Sequence, residues 1–215
     1  MSLPEVPARG RFIALEGVDG AGTTTQLDRL AAHFGARLHA TREPTRGPIG
    51  REIRRHLAGP VDGVQLDPAA LALLFAADRL DHLRREVAPA IARGVHVVSD
   101  RYLLSSLAYQ TLGVSREHVV RFNALATTPD LTIFVEVPIE VSEQRRHARG
   151  APEEIFEKRA LQERVRATYL DEVLRLKSAG EPVRVIDGDA PIDDVFAAVL
   201  EAVESCVAGP PRQTL

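Results

Sequence analysis

The sequence predicts an α/β fold, with a central parallel sheet of about five strands and helices on both of its faces. Apolar runs alternate along the chain with amphipathic stretches, as strands alternate with helices in such folds. The runs at 95–99 and 131–137 are β-branched without polar alternation, so we expect them to be covered on both faces. A glycine-rich segment lies between the first apolar run and a helical pattern, in the order that a phosphate-binding loop requires.

The remaining elements follow from apolar periodicity and turn residues. The predicted strands are 11–16, 37–41, 95–99, 131–137 and 183–186. The predicted helices are 24–34, 48–57, 68–93, 115–126, 139–149, 153–179 and 193–207. Gly94 is a stop signal for the long pattern 68–93, and Pro89 predicts a kink or a break within it, because proline has no main-chain N–H to donate.

Length and composition favour one compact domain over 11–208, with an N-terminal extension over 1–10 and a disordered tail over 209–215. The chain has 215 residues, of which 45% are hydrophobic and 27% are charged. The net charge of −3 gives no basic field for a nucleic-acid or membrane partner. Cys206 is the only cysteine, which suits a reducing compartment, and the first eleven residues lack the apolar region of a signal peptide. We therefore expect a cytoplasmic protein.

The glycine-rich segment fits a phosphate-binding loop except at one position. Its residues are Gly17, Val18, Asp19, Gly20, Ala21, Gly22, Thr23, Thr24 and Thr25. In the pattern G-x-x-x-x-G-K-[ST], main-chain N–H groups surround phosphates, the lysine reaches the β and γ oxygens, and the hydroxyl helps to hold Mg²⁺. Thr23 replaces the lysine, whereas Thr24 supplies the hydroxyl. A helix N-terminus attracts anions without a lysine, so the replacement threatens charge neutralisation during catalysis more than it threatens phosphate binding. The less specific interpretation is a purely structural glycine turn.

Two further groups of residues are typical of a kinase with the three-layer fold of the P-loop NTPases. Asp100 and Arg101 follow a buried strand, so they are expected at the carboxyl edge of the sheet, where ligands bind in open α/β folds. Arg101 can bind a phosphate through two N–H groups, and Asp100 can hold Mg²⁺, although an ordinary ion pair remains the alternative. Phe75 and Arg79 are four residues apart on one helical face, so the ring could stack on a base while the arginine donates to it. Phe75 alone would more often be a core residue.

Four sequence blocks resemble the thymidylate kinases, a family of nucleoside monophosphate kinases. The blocks are Glu16-Gly17-x-Asp19-Gly20-x-Gly22, Thr41-Arg42-Glu43-Pro44, Leu73-Leu74-Phe75-Ala76-Ala77-Asp78-Arg79, and Asp100-Arg101-Tyr102 followed by Ser105-Ser106-Leu107-Ala108-Tyr109-Gln110. Pro129-Asp130-Leu131-Thr132 and Val165-Arg166-x-x-Tyr169 extend the similarity over roughly 11–200. Each block is weak alone, but their order and spacing together are specific.

The resemblance implies that the chain transfers the γ-phosphoryl group of ATP to thymidine 5′-monophosphate (dTMP), giving dTDP and ADP in the synthesis of dTTP. Mg²⁺ would arrive with ATP and lie near Thr24 and Asp100. The phosphate loop would bind the donor, a lid over about 145–158 would close the site, and Asp19, Asp100, Arg101 and Arg149 would act in catalysis. The family is usually homodimeric, and the apolar face of the helix predicted over 68–93 could form such an interface.

The resemblance also assigns roles around the acceptor nucleotide. At the base, Phe75 would stack on thymine, Arg79 would bond its carbonyl edge, and Gln110 would bond the base or the adjoining sugar and phosphate region. At the sugar, Tyr109 would crowd the 2′ position, and Asp19 and Glu16 would face the 3′-hydroxyl and the magnesium waters. At the phosphate, the implied residues are Arg54 and Arg101, with Ser106 and Glu43 beside them. An arginine can donate two N–H groups to two oxygens of the same phosphate, and the ammonium group of a lysine does not match this geometry.

The lid offers a replacement for the missing lysine. Arg145 and Arg149 are four residues apart on one helical face, and the family places lid arginines against adenine and the transferring phosphates. We therefore hypothesise that Arg149, helped by Arg145, supplies the charge that Thr23 lacks; the alternative is a solvated basic face. The sequence departs from many relatives at 151–154, where they have an Asp-Arg pair, and at Leu104, where they have an acidic residue.

Two other classes of function remain open at this stage. One is a kinase for another pyrimidine nucleotide or for a deoxynucleoside, which would share the fold. The other is a non-catalytic nucleotide-binding homologue, which Thr23 favours. A regulatory GTPase is disfavoured, because the chain has no Asn-Lys-x-Asp segment to recognise guanine. The histidines show neither metal-ligand spacing nor a nucleophile partner, so we expect solvated or structural roles for them.

Overall fold

The computed structural model describes residues 9–148, 150 and 156–210. Its sheet has five parallel strands in the order β2-β3-β1-β4-β5, which confirms the predicted fold class. The strands are β1 (Phe12–Glu16), β2 (Leu38–Arg42), β3 (His96–Asp100), β4 (Leu131–Glu136) and β5 (Val183–Asp187). Each differs from its predicted range by at most one residue at either end.

Nine α-helices surround the sheet in the described part of the chain. They are α1 (Thr23–Phe34), α2 (Pro48–Leu57), α3 (Pro68–His82), α4 (Ala88–Ala92), α5 (Leu103–Tyr109), α6 (Arg116–Phe122), α7 (Ile139–Ala148), α8 (Phe156–Ser178) and α9 (Ile192–Ala208). None of them is both long enough and apolar enough to cross a membrane. Parts of the predicted extension, lid and tail lie outside the described residues, namely 1–8, 149, 151–155 and 211–215.

The central strands are covered on both faces, as their lack of polar alternation predicted. In β1, Ile13 and Leu15 join the larger apolar cluster, whereas Phe12 and Ala14 join the smaller cluster on the opposite face. Neighbouring residues of a strand point to opposite faces, so this division places one core on each side of the sheet. The smaller cluster includes Ile91 of α4, and the larger one extends to α1, α8 and α9.

The prediction for the helical pattern 68–93 agrees with the structure, including the break expected from Pro89, because a π-helical turn at Leu83–Val87 separates α3 from α4. Pro89 is the second residue of α4, and the wider turn before it accommodates a residue that cannot donate to the preceding helical turn. Helix α5 was not predicted at all. Five consecutive residues within its seven are buried, so the segment has no apolar periodicity from which to recognise a helix.

Strand register brings the chemically important residues to one edge of the sheet. Asp100, at the end of β3, pairs in register with Leu15 of β1 on one side and with Arg42 of β2 on the other. The phosphate loop begins at Gly17, directly after Glu16 at the end of β1, and leads into α1 at Thr23. Three strands therefore end at the same place, which is where open parallel sheets bind ligands.

Candidate active site

A cavity of about 280 Å³ opens at this carboxyl edge of the sheet. Its lining comes from the phosphate loop and from the ends of β2 and β3: Val18, Asp19, Gly20, Gly22, Thr23, Thr24, Arg42, Glu43, Asp100 and Arg101. The structure therefore brings together the loop, the Asp100-Arg101 pair and Glu43, which the sequence analysis had placed in one site. Main-chain donors and arginines together suit a polyanionic ligand.

The loop has the conformation that its glycines permit. Gly20 and Gly22 have φ angles of +90° and +94°, which side-chain-bearing residues rarely adopt. A Cβ on Gly17 would lie 2.8 Å from Ala21 Cβ and 3.0 Å from Val135 O, so only glycine fits there. The chain can thus turn sharply from β1 into α1 and present N–H groups at the helix N-terminus.

Thr24 and Asp100 are directly connected at the floor of the cavity. The Thr24 hydroxyl donates to Asp100 Oδ2 over 2.7 Å. Asp100 Oδ1 is buried and accepts no hydrogen bond from the described residues. A buried carboxylate oxygen without a donor suits a cation, and hydroxyl and carboxylate oxygens are ligands that Mg²⁺ prefers. Among the described residues, no group of three or more His, Cys, Asp or Glu side chains could hold a metal ion alone.

Arg101 is held at the cavity wall by three side chains. Its Nη2 donates to Asp19 Oδ1 over 2.5 Å, and its Nη1 donates to the hydroxyls of Ser105 and Tyr169, each over 3.2 Å. Burial lowers the pKa of Arg101, but the neighbouring tyrosine hydroxyls and carboxylates raise it above its ordinary value overall, so the guanidinium remains charged. Its φ of +73° is strained for a residue with a side chain, and such strain is common at functional sites.

Glu16 lies behind Arg101 and does not line the main cavity. Its Oε1 accepts from the main-chain N–H groups of Tyr102 and Ser105, over 2.9 Å and 3.1 Å, and its Oε2 accepts from the Ser105 hydroxyl over 2.6 Å. The side chain is fully buried, and burial raises its pKa. The placement of Glu16 at the 3′-hydroxyl and the magnesium waters stays a prediction.

Arg79 lies in a buried network next to the cavity. Its Nη2 contacts Glu43 Oε2 at 2.8 Å and donates to the Ser106 hydroxyl over 3.0 Å, while its Nη1 donates to Asn123 Oδ1. His82 continues the network, because its Nδ1 lies 3.0 Å from Glu43 Oε1. Three residues from distant parts of the sequence, Glu43, Ser106 and Asn123, thus contact the Arg79 guanidinium, and sequence reasoning recognised neither His82 nor Asn123.

The other residues expected at the acceptor are not among those that line the main cavity. Phe75 is partly exposed on α3, and Gln110 is partly buried just after α5. The ring of Tyr109 lies 5.3 Å from the Arg101 guanidinium carbon, within range of a cation–π contact. Arg54 is exposed and donates to Pro44 O over 2.9 Å, so it is not among the residues that line the cavity.

Arg42 does line the cavity, and the sequence analysis assigned no role to it. It belongs to the block Thr41-Arg42-Glu43-Pro44 and ends β2 with an exposed side chain. Arg42 lies opposite Asp100 in the register of β2 and β3, and this pairing is what brings it to the cavity. Register cannot be predicted from sequence before the order of the strands is known. The cavity therefore has two arginines in its lining, Arg42 and Arg101.

The basic residues of α7 lie on the far side of the loop. Arg145 donates to Gly188 O over 2.9 Å and lines a second cavity of about 100 Å³ with eight other residues, among them Gly22, Thr25 and Gln26. Arg146 packs against the loop, because a Cβ on Gly20 would lie 3.2 Å from Arg146 Cγ. Arg149 lies outside the described residues.

Comparisons with known proteins agree with this geometry. The family model described as thymidylate kinase matches residues 15–199. A probable thymidylate kinase of Pyrobaculum aerophilum is 41% identical over 197 residues, which is 91% of this chain and 97% of the relative. One from Pyrococcus abyssi is 38% identical over 207 residues, or 94% and 99% of the two chains. A thymidylate kinase of Bifidobacterium longum is 40% identical over 203 residues, or 88% and 95%.

The matched region includes the phosphate loop, the Asp100-Arg101 pair and the buried Arg79 network, which are the parts that form and border the cavity. Sequence similarity therefore extends over the whole site and not only over the loop that many nucleotide-binding proteins share. On this similarity, and on the parallel sheet that carries the site, the chain belongs to the thymidylate kinase family.

Proposed function

We propose that this chain transfers the γ-phosphoryl group of ATP to dTMP and releases dTDP and ADP. One observation carries the proposal: a phosphate loop and the acceptor-type arginine Arg101 line the same cavity. A protein that only bound ATP would need the loop but would not need a second anion site beside it. The names of the relatives, all thymidylate kinases, support the same acceptor.

The reaction requires little covalent chemistry from the protein. The acceptor phosphate is already an oxyanion near neutral pH, so the enzyme must align two anions and neutralise the charge of the transferring group. The loop N–H groups hold the donor phosphates, and Arg101 holds the acceptor phosphate with Arg42 and Arg54 as further cations. Asp19, which pairs with Arg101 in the structure, orients that guanidinium beside the acceptor sugar.

Mg²⁺ is the metal proposed to enter with ATP. Thr24 and Asp100 would hold it, directly or through water, in agreement with the unsatisfied Oδ1 of Asp100. When bound, the ion neutralises phosphate charge. The chain's own contribution is the fixed orientation of the Asp100 carboxylate by the Thr24 hydroxyl.

The acceptor base is proposed to lie beside α3 and α5. Phe75 stacks on thymine, Arg79 donates to a base carbonyl, and Gln110 bonds at the adjoining edge, with Tyr109 against the sugar. The buried network of Arg79 supports this assignment, because Glu43, Ser106 and Asn123 hold the guanidinium in one orientation. A fixed arginine loses little conformational entropy when it binds a base.

Positive charge from α7 and the following lid is proposed to replace the lysine that Thr23 lacks. Arg145 contributes from the second cavity beside Thr25, and Arg149 contributes from the lid. Cationic side chains on a closing lid can neutralise the phosphate charge during transfer. A fixed lysine has this role in other phosphate loops.

We propose further that the protein works in the cytoplasm as a homodimer. Cys206, the single cysteine, is a free thiol, which suits a reducing compartment. Exposed apolar side chains on α2, α3 and α6 support the dimer: Leu57, Leu73 and Val120 are 57%, 50% and 43% exposed.

A second candidate, a nucleotide-binding protein without activity, is favoured by Thr23 alone. Chromatographic measurement of dTDP and ADP from ATP, dTMP and Mg²⁺ distinguishes the two. We expect equal amounts of both products, and an Arg101→Ala variant should lower kcat/KM for dTMP by about a hundredfold or more. ATP binding without either product would favour the second candidate, and turnover only with another monophosphate or a deoxynucleoside would change the acceptor.

A further inference from the structure

Tyr169 is a fully buried tyrosine on α8, and its hydroxyl reaches the site from behind. The hydroxyl lies 3.2 Å from Arg101 Nη1 and 2.7 Å from Ser105 Oγ. Its ring stacks on Phe134 at 5.2 Å and meets Tyr109 edge-on at 6.1 Å. The ring is thus fixed by packing, while the hydroxyl alone makes the polar contacts.

We infer that Tyr169 is a positioning residue for the acceptor phosphate: its hydroxyl fixes the Arg101 guanidinium in the orientation in which that group meets the phosphate. Arginine side chains have several rotatable bonds, and their orientation at a phosphate determines whether two N–H groups bind at once. Nη1 is held by Tyr169 and Ser105, so the guanidinium cannot rotate about its own axis. Its Nη2 then points to Asp19 and to the cavity.

The Tyr169 hydroxyl has two possible acceptors, Ser105 Oγ at 2.7 Å and Glu16 Oε2 at 3.4 Å, and the shorter contact fits the following arrangement of protons. The Ser105 hydroxyl donates to Glu16 Oε2 over 2.6 Å, so its oxygen is free to accept from Tyr169. Tyr169 in turn accepts from Arg101 Nη1. Burial raises the pKa of Tyr169, and the Glu16 carboxylate adds to the rise, so the hydroxyl keeps its proton and can donate to Ser105.

The position of Tyr169 in the chain gives this contact a wider consequence. Helix α8 begins at Phe156, within the range 145–158 in which the lid is expected, and it packs along α5, which carries Ser105. The hydroxyl therefore joins the acceptor arginine to the helix that continues from the lid. A phenylalanine at this position would keep the ring packing and remove only the contacts of the hydroxyl, which are with Arg101, Ser105 and Glu16.

The inference rests on the proposed role of Arg101 at the acceptor phosphate, so its test separates phosphate binding from nucleoside binding. The Tyr169→Phe variant is compared with Val173→Ala, which also alters a buried residue of α8 but one whose side chain has no polar group to bond Arg101. For each protein we would measure kcat, the KM values for dTMP and ATP, the inhibition constant of thymidine, and the melting temperature.

We expect Tyr169→Phe to raise the KM for dTMP by about tenfold, because one charge-assisted hydrogen bond that orients Arg101 is lost. The KM for ATP and the inhibition constant of thymidine, which has no phosphate, should change by less than about twofold. Val173→Ala should lower the melting temperature without this selective effect.

Two results would overturn the inference. One is an equal loss of affinity for dTMP and thymidine in Tyr169→Phe, which would indicate general damage to the site. The other is the same selective loss in Val173→Ala, which would assign the effect to stability. A wild-type chain that does not phosphorylate dTMP would contradict the proposed function itself, and this outcome is seen before any variant is made.

Discussion

Thr23 is the residue at which this chain departs most from an ordinary phosphate loop. It is buried to 8% exposure, and its methyl carbon lies 3.2 Å from where a Cβ on Gly17 would be. The position therefore packs against the loop, and lysine would have to leave that packing to reach a phosphate. If lid cations already neutralise the phosphates, restoring the lysine should bring little benefit.

We expect Thr23→Lys to change kcat by less than about threefold, and Arg149→Ala to lower it by at least about tenfold. In the double variant, the lysine should recover part of the loss, because both cations would neutralise the negative charge of the same phosphates. Steady-state turnover with saturating dTMP and ATP measures all three. Arg85→Ala, which removes an arginine from the exposed surface of the π-helical turn, is the control. A large gain from Thr23→Lys alone, or full turnover of Arg149→Ala, would contradict relocated charge.

Glu16 predicts a particular pH dependence of stability. Burial raises its pKa above its ordinary value of 4.5, so the folded protein holds this proton at pH values where the unfolded chain has lost it. The free energy of unfolding therefore falls as pH rises from 4.5 to the raised pKa, and the favourable contribution is complete only below 4.5.

Glu16→Gln should remove this fall. We expect its free energy of unfolding, relative to that of the wild type, to increase as pH rises through this window, as measured by urea denaturation at several pH values. Glu201→Gln, at an exposed position of α9, should follow the wild type throughout. Parallel curves for wild type and Glu16→Gln would show that the buried carboxylate does not control this dependence.

The residues that sequence could predict are those with a local signal. Glycine spacing identified the loop, and a buried strand followed by Asp100 and Arg101 identified the edge of the sheet. The functions of Arg42, His82 and Tyr169 could not be predicted, because each depends on a partner that is distant in sequence. His82 meets Glu43 and Tyr169 meets Arg101 only through the order and packing of elements.

At the scale of elements, the phosphate loop packs closely against α7 at Gly20. A Cβ on Gly20 would lie only 2.6 Å from the main-chain oxygen of Ser142, which belongs to α7. Gly22 has nearly the same φ, but a Cβ there would meet nothing within 4 Å. Alanine at Gly22 would therefore introduce backbone strain alone, whereas alanine at Gly20 would add steric overlap with α7.

Both alanine substitutions should destabilise the protein, and Gly20→Ala should do so more. We expect Gly22→Ala to cost about 1–2 kcal/mol through its positive φ alone. Gly20→Ala should cost about 1–3 kcal/mol more, because α7 must move away from the loop. Urea denaturation of both variants measures the difference in the free energy of unfolding. Equal losses would mean that α7 can move away from the loop at no cost in free energy.

Elements whose signal is periodic were predicted well, and elements defined by packing were not. Strand and helix ranges with clear apolar patterns agree closely with the structure. Pro89 gave the break between α3 and α4 a local signal, although the π-helical form of the turn was not predicted. Helix α5 has a nearly continuous run of buried residues and therefore no apolar periodicity, so only the tertiary structure reveals it.

At the scale of the whole molecule, the order of strands explains how distant parts of one chain come to line the same cavity. β1 delivers the donor loop, β3 delivers Asp100 and Arg101, and β2 delivers Arg42 and Glu43, all at one edge. A surface that this order leaves uncovered lies on α3 and on the two helices that pack against it, α2 and α6. Their exposed apolar residues are the basis of the proposed homodimer.

A charge on this surface should separate the two subunits. Leu73 is 50% exposed on α3, and a carboxylate buried against a second copy would be left without a partner. We expect Leu73→Glu to weaken dimerisation by more than about tenfold, or roughly 1.4 kcal/mol, in sedimentation equilibrium. Leu174→Glu, at a 63% exposed leucine of α8, is the matched control and should leave the dimer intact. A wild-type monomer at micromolar concentration, or dissociation by the control alone, would contradict an interface on α3 and leave each chain to act by itself.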